Sequence, residues 1–199
     1  MKPTRMRKST IIKLVIATTV TIVGGVALAT TMSVPQAKTT TAPPAKAASG
    51  LPIERIQFGG EPFDLEVAAT EQAISKGLSK RTEIPKNTGM IFVFPSGNER
   101  FFWMIDCFVD IDIAYLSADG TVVSVYTMKK ELPRQEGESN TTYEARLKRY
   151  NSGPGVQFAI ETPAGTNEAL KIKPGVRIPI DRRKLLGHLT ENRTVPPPR

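Results

Sequence analysis

Three aspartates lie at even positions within one largely apolar stretch, as Asp106, Asp110 and Asp112. Side chains two residues apart on a β-strand point to the same face. On an unbroken strand the three carboxylates would share one face, where they could bind a hard cation or pair as general acid and base. Alternatively, the three carboxylates have only a structural role, either as charges that face solvent or as acceptors of hydrogen bonds from loop amides. They are the candidate metal ligands, and no cofactor is predicted.

Asp112 differs from the other two because its neighbours, Ile111 and Ile113, are both apolar. These neighbours indicate partial burial, and an unpaired charge in such a place costs several kcal/mol. Asp112 should therefore have a partner. Arg81 and Arg100 are both candidates, and the sequence does not choose between them.

The chain has one cysteine, Cys107, and one histidine, His188. A cysteine nucleophile needs a base and an orienting group. His188 lies near the C-terminal end, so we expect Cys107 to be a buried, inert thiol. A single cysteine also excludes a disulfide within the chain. No catalytic residue is predicted.

Three aromatic residues in a row, Phe101, Phe102 and Trp103, precede the aspartates. Strand alternation sends Phe102 opposite to the other two, so one side faces away from the main core and can line a pocket. Glu161, between Ile160 and Thr162, points either outward or inward to a partner. The candidate ligand-binding residues are Phe102, Trp103, Asp106, Asp110, Asp112 and Glu161.

The segments that must position these residues are mostly strand-like. Short apolar or alternating runs bounded by Gly, Pro or Asp-Gly indicate β-strands. They lie at 53–58, 63–69, 89–95, 101–107 continued by 109–116 as the first arm of a hairpin, 121–128 as its return strand, 156–160 and 176–180. Thr70 is a suitable N-cap for a helix that follows it, and further short helices are expected at 144–149 and before Leu170. The predicted fold is mainly β, on the border of α+β. It is a compact, antiparallel, barrel-like sheet of six or seven strands with two or three short helices.

The N-terminal region is organised differently from the rest. Five basic residues among the first thirteen precede an apolar run at 14–32, a pattern typical of export sequences. Residues 1–32 are predicted to be a signal peptide or an N-terminal membrane anchor, and the Thr/Pro/Ala-rich segment 33–50 a disordered linker. A folded domain is expected at 51–182 and a flexible tail at 183–199. The domain should be periplasmic or secreted, and attached to the inner membrane by residues 14–32 if these are not cleaved.

The formal charge of +8 does not indicate nucleic-acid binding. Five of the 27 basic residues lie in the N-terminal thirteen, so the rest of the chain carries 22 basic and 19 acidic residues. A nucleic-acid-binding domain would concentrate Lys and Arg on one face. We therefore expect no nucleic-acid partner. We also expect the domain to be a monomer.

Seven short motifs follow one another in a fixed order: Gly77–Arg81, Gly89–Phe94, Phe102–Met104, Ile111–Ile113, Asp119–Val123, Tyr150, and Ile160-Glu161 before Pro163-Ala164-Gly165. In order and spacing they resemble the DUF192 (UPF0127) family over about residues 60–180. The resemblance implies a compact, mostly β, barrel-like domain, often exported in prokaryotes, whose biochemical function is not established. One motif departs from the family, which usually has Trp-Met-Lys-Asn-Thr where this chain has Trp103-Met104-Ile105-Asp106-Cys107. Any role of those Lys, Asn and Thr side chains in the family is therefore not expected of Ile105, Asp106 and Cys107 in this chain.

Two functions of different classes fit these features. The first is a non-enzymatic binding or accessory module at the cell envelope, which takes a small molecule, a peptide or an envelope protein through an aromatic-lined opening. The second is a hydrolase that uses Asp106, Asp110 and Asp112, with Glu161, in metal-assisted or acid-base chemistry. We favour the first because the chain has no His cluster and no recognised catalytic motif. A purely structural envelope protein is a third possibility.

Overall fold

The computed structural model describes residues 46–191. The predicted signal peptide or anchor at 1–32, most of the linker at 33–50 and the end of the predicted tail at 192–199 lie outside the described residues. Within 46–191, no helix is long and apolar enough to cross a membrane.

The described residues form eight strands and four short helices. The strands are β1 Ile53–Phe58, β2 Glu61–Ala68, β3 Thr88–Asn98, β4 Phe101–Phe102, β5 Ile111–Ser117, β6 Val122–Met128, β7 Tyr150–Asn151 and β8 Val156–Pro163. The helices are α1 Glu71–Lys76, α2 Asn140–Arg146, α3 Thr166–Ala169 and α4 Arg182–Glu191.

Six strands form one sheet in the order β1-β2-β3-β8-β5-β6, and β4 pairs with β7 in a separate two-stranded sheet. The mainly β prediction is confirmed. The barrel-like closure is wrong, because β1 and β6 stand at the two ends of the order and do not pair with each other. The sheet is also not wholly antiparallel, since β2 and β3 run parallel.

Both faces of the sheet are buried, which explains the continuous apolar runs in its central strands. On β3, Ile91 and Val93 pack into one apolar cluster, and Met90 and Phe92 pack into a second. The first cluster includes residues from α4 and from the segment that leads to it. The second includes residues of α1, of the segment between β4 and β5, and Tyr150. This second face carries the candidate site.

Three predicted elements differ from the structure. The expected strand at 101–107 is limited to Phe101–Phe102, because the chain turns after it and Asp106 has a positive φ of 50°. Helix α2 begins at Asn140 and not at 144. Its N-cap is Ser139, whose side chain accepts a hydrogen bond from the Thr142 amide. The expected strand at 176–180 is reduced to one isolated bridge between Thr121 and Arg177.

The flexible tail predicted from residue 183 is wrong in its first part, because Arg182–Glu191 form α4. Leu185 is only 2% exposed and belongs to the first apolar cluster. The buried carboxylate of Glu54 on β1 lies 2.5 Å from Lys184 Nζ and 2.9 Å from His188 Nε2. The folded domain therefore continues to at least residue 191.

Candidate functional site

A cavity of about 220 Å³ opens on the second face of the sheet, where its lining comes from α1, β3, β4, β8 and the segment that follows β4. Helix α1 starts at the Thr70 N-cap, whose side chain accepts a hydrogen bond from the Ala73 amide, and its C-cap is Gly77. A Cβ atom on Gly77 would lie 3.4 Å from the Phe92 ring and 3.9 Å from Glu161 Oε2. The end of α1 therefore passes close to Phe92 and Glu161, which both line the cavity.

Aromatic rings form one wall of the cavity. The Phe102 ring centroid lies 4.9 Å from that of Phe92 and 6.5 Å from that of Phe94, both in edge-to-face arrangements, which are favourable geometries for aromatic pairs. Phe102 is half-buried, whereas Phe101 is 58% exposed. Trp103 is half-buried and also lines the cavity.

Glu161 is the buried acidic group of the cavity. It is 5% exposed and lies on β8 opposite Met90 of β3 and Ile113 of β5. Within residues 46–191 its carboxyl group has neither a hydrogen bond nor an ion pair. Burial raises its pKa to about 8, and the positive charge of Arg81 opposes this shift. Glu161 is therefore mostly protonated and uncharged at neutral pH.

Cys107 lines the same cavity but is not an activated thiol. Burial raises its pKa to about 12, and the negative charge that Glu161 acquires at high pH adds to this shift. The thiol therefore stays protonated, and its Sγ lies 3.5 Å from the carbonyl oxygen of Ile105. His188 is bound to Glu54 on the other face of the sheet, so the fold does not pair the only cysteine with the only histidine.

Two basic side chains belong to the cavity lining, and a third lies against one of its rings. Lys76 and Arg100 both line it. The Arg100 guanidinium lies 4.1 Å above the Phe94 ring, and its Nη2 donates to the Ser96 carbonyl at 2.8 Å. The Arg149 guanidinium lies 3.5 Å above the Trp103 ring. These are cation–π distances.

The three aspartates do not share one strand face. Asp106 occupies the turn after β4, where its carboxylate accepts from the Tyr143 hydroxyl at 3.3 Å. Asp110 precedes β5 and binds Lys129 Nζ at 2.8 Å and the Lys130 amide at 2.9 Å. In the part of the chain that the structure describes, no three His, Cys, Asp or Glu side chains are grouped so as to hold a metal ion.

Asp112 alone of the three lies within β5, and it is 1% exposed. Its partners are the Thr127 hydroxyl at 2.7 Å and the Asn167 amide at 2.8 Å. The expected arginine partners are wrong. Arg81 pairs with Glu66 at 2.7 Å, and Arg100 stacks on Phe94. Asp112 joins β5, β6 and α3 and does not face the cavity lining.

We expect Asp112→Asn to lower the free energy of unfolding by about 1.5–3 kcal/mol, because it removes the charge from a buried acceptor of two hydrogen bonds. Urea denaturation of the full-length protein measures this change. Asp110→Asn is the matched control, since its ion pair with Lys129 is partly exposed and should contribute less than about 1 kcal/mol. Equal effects of the two substitutions would contradict the buried role of Asp112.

Sequence reasoning missed Gly77, Lys76 and Arg100 as parts of the site. The signal for Gly77 was present, because a glycine near the end of a short predicted helix is typical of a C-terminal cap. No local pattern reveals the other two, because they meet only when α1 and the segment just before β4 come together near β8.

Comparison with known proteins bears on this geometry. Residues 54–180 match the model of the DUF192 family, described as uncharacterized ACR. The chain belongs to the DUF192 family. Eight of the residues that carried the resemblance line the cavity of this DUF192 domain: Gly77, Leu78, Ser79, Phe92, Phe94, Phe102, Trp103 and Glu161.

Two solved structures are similar to the DUF192 domain. One is a protein of unknown function from Novosphingobium aromaticivorans DSM 12444, with 25% identity and a TM-score of 0.56, covering 70% of this chain and 94% of that one. The other is a proposed transcription regulator from Sinorhizobium meliloti 1021, with 24% identity and a TM-score of 0.49, covering 64% of this chain and 90% of that one. No curated protein gives a significant match.

Proposed function

We propose that this DUF192 domain is a non-enzymatic binding module, and that its cavity takes a small ligand with an apolar body. The observation that carries the proposal is the Glu161 carboxyl, buried, facing the cavity and without a partner among the described residues. A buried polar group without a hydrogen bond is unfavourable, and a ligand would supply the missing bond.

The lining of the cavity supports a small apolar ligand. Phe92, Phe94 and Phe102 offer apolar surface, and Glu161 is a polar group that can fix the ligand's orientation. Ligand sites are commonly built in this way, from mostly apolar walls and a few placed polar groups. The volume of about 220 Å³ lies below the roughly 300–1,000 Å³ of sites for drug-sized molecules, which favours a small ligand.

The state of the candidate reactive groups supports a binding role over catalysis. The Cys107 thiol is held protonated by burial, and Asp106, Asp110 and Asp112 are bound to separate structural partners. These four groups therefore offer neither an activated nucleophile nor a paired acid and base.

We also propose that the domain acts at the cell envelope, outside the cytoplasm, as a monomer. The location is supported by the sequence of residues 1–32, which has basic residues before an apolar run, and by the polar linker at 33–50. Protease added to intact spheroplasts should digest the DUF192 domain. A domain protected until the membrane is lysed would contradict this location.

Ligand binding can be followed by the intrinsic fluorescence of Trp103, the only tryptophan in the chain, because it lines the cavity. A bound ligand should shift its emission and raise the melting temperature of the full-length protein. We expect Ser75→Tyr, on the exposed surface of α1 at the cavity, to weaken binding at least tenfold by occupying ligand space.

The matched control is Gln72→Tyr, which adds the same side chain to the same helix at a position outside this cavity. It should leave binding unchanged. Ligand affinity that Ser75→Tyr does not alter would show that binding occurs elsewhere and would overturn the proposed site.

A further inference from the structure

The charge of the cavity lining indicates which kind of ligand it fits. Among the described residues, Lys76, Arg100 and Glu161 are the charged or acidic side chains of the lining. Because burial keeps Glu161 mostly protonated at neutral pH, the lining carries two positive charges and no compensating negative one. Such a lining attracts an anion and disfavours a cation.

The aromatic rings do not reverse this preference. An aromatic cage binds a cation through the open faces of its rings. In this cavity, the Phe94 ring already lies against Arg100 and the Trp103 ring against Arg149, at 4.1 Å and 3.5 Å. A cationic ligand would meet guanidinium groups on two of the available rings.

We propose that the ligand is a small apolar carboxylate, which accepts a hydrogen bond from the Glu161 carboxyl and is attracted by Lys76 and Arg100. This inference rests on the proposed function of the cavity and adds the chemical class of its ligand. The apolar part of the ligand lies against the phenylalanine wall, and its carboxylate reaches the buried end, where Glu161 donates an O–H to a ligand oxygen. Charge-assisted bonds of this kind are among the stronger hydrogen bonds in proteins.

Binding should depend on pH through Glu161, because only its protonated form can donate. The titratable or charged groups around it come from α1, the loop after α1, the residue before β4, the segment before β5, and β5 itself: Lys76, Arg81, Arg100, Cys107 and Tyr115. Burial raises the pKa values of the Cys107 thiol and the Tyr115 hydroxyl, so both stay protonated near neutral pH. The pH dependence between 6 and 9.5 is therefore assigned to Glu161.

Three probes with the same benzyl body test the chemical class: phenylacetate, phenylacetamide and 2-phenylethylamine. Titration of the full-length protein at pH 6.5, followed by Trp103 fluorescence and calorimetry, should give phenylacetate at least tenfold tighter affinity than either of the others. Tighter binding of the amide or the amine would overturn the carboxylate inference and leave the binding function standing. If none of the three binds, both proposals fail.

A pH series with phenylacetate tests the role of Glu161. Affinity should be constant below pH 7 and fall as Glu161 ionises, approaching roughly tenfold per pH unit above its pKa. Glu161→Gln keeps the shape and an N–H donor but cannot ionise, so it should bind with a flat profile across this range. A flat profile in the unsubstituted protein would overturn the role of Glu161.

The basic groups are tested by Lys76→Ala, which should weaken phenylacetate binding severalfold and leave phenylacetamide binding nearly unchanged. Lys173→Ala is the matched control, because Lys173 is an exposed lysine outside the cavity lining. Equal losses for the carboxylate and the amide would contradict an electrostatic role for Lys76.

Discussion

Gly89→Ala should destabilise the DUF192 domain by at least about 3 kcal/mol and leave much of it unfolded in mild denaturant. A Cβ atom at Gly89 would lie 2.0 Å from the backbone oxygen of Glu161 and 3.3 Å from a methyl group of Leu65. A backbone oxygen cannot rotate away as a side chain can. The added methyl group would therefore force β3 away from β8 at the centre of the sheet.

Urea denaturation of the full-length protein measures this effect, and Gly187→Ala provides the control. Gly187 lies within α4, where an added Cβ would meet no atom within 4 Å. Alanine is favoured over glycine inside a helix by up to about 1 kcal/mol, so the control should be neutral or stabilising. If Gly89→Ala is tolerated as well as Gly187→Ala, the close approach of β3 to β8 is wrong.

Glu161→Gln should make the domain more stable than the unsubstituted protein at pH 8.5, and this advantage should disappear near pH 4.5. The folded-state pKa of Glu161 is raised by burial from 4.5 to about 8. Between these values the unfolded chain has released its proton and the folded protein retains it, so stability falls as pH rises through this window. Above about pH 8 the loss is complete. Each pKa unit corresponds to about 1.4 kcal/mol, which makes the expected difference a few kcal/mol.

Thermal or urea unfolding at the two pH values measures this difference. Glu83→Gln is the control, because Glu83 is an exposed glutamate in the loop after α1. Its stability relative to the unsubstituted protein should change little between pH 4.5 and pH 8.5. A pH-independent effect of Glu161→Gln would contradict a buried, protonated carboxyl group.

Most strands could be predicted because their signal is local. The apolar runs of β3 and β5 and the alternation in β2 each reflect the burial of that segment alone. Closure of the sheet and the order of its strands depend on contacts between distant segments, so no local pattern contains them. Helix α4 was missed because the Pro-rich end of the chain dominated the composition there. Leu185, Leu186 and Leu189 nevertheless have the spacing of an apolar helix face.

The site was only partly accessible from sequence. Strand parity placed Asp106 on the same face as Asp110 and Asp112, but the turn with positive φ at Asp106 breaks the strand on which that argument depended. Glu161 had two possible orientations, and the structure shows the inward one without the expected partner. Arg81 is the positive charge that opposes the rise in the pKa of Glu161, but its guanidinium already pairs with Glu66. Whether Glu161 has a partner therefore depends on which carboxylate Arg81 pairs with in the folded protein, and no local sequence pattern contains that information.

The position of β8 between β3 and β5 has a consequence for synthesis of the chain. Both neighbours precede β8 in sequence, so the ribosome completes β1, β2, β3, β5 and β6 before the strand that joins them exists. Until residue 163 emerges, β3 and β5 each present an open edge, and open edges are templates for aggregation. A growing chain is therefore exposed to such pairing over more than half of its domain. The cavity, whose carboxyl group lies on β8, forms only when that last strand has been inserted.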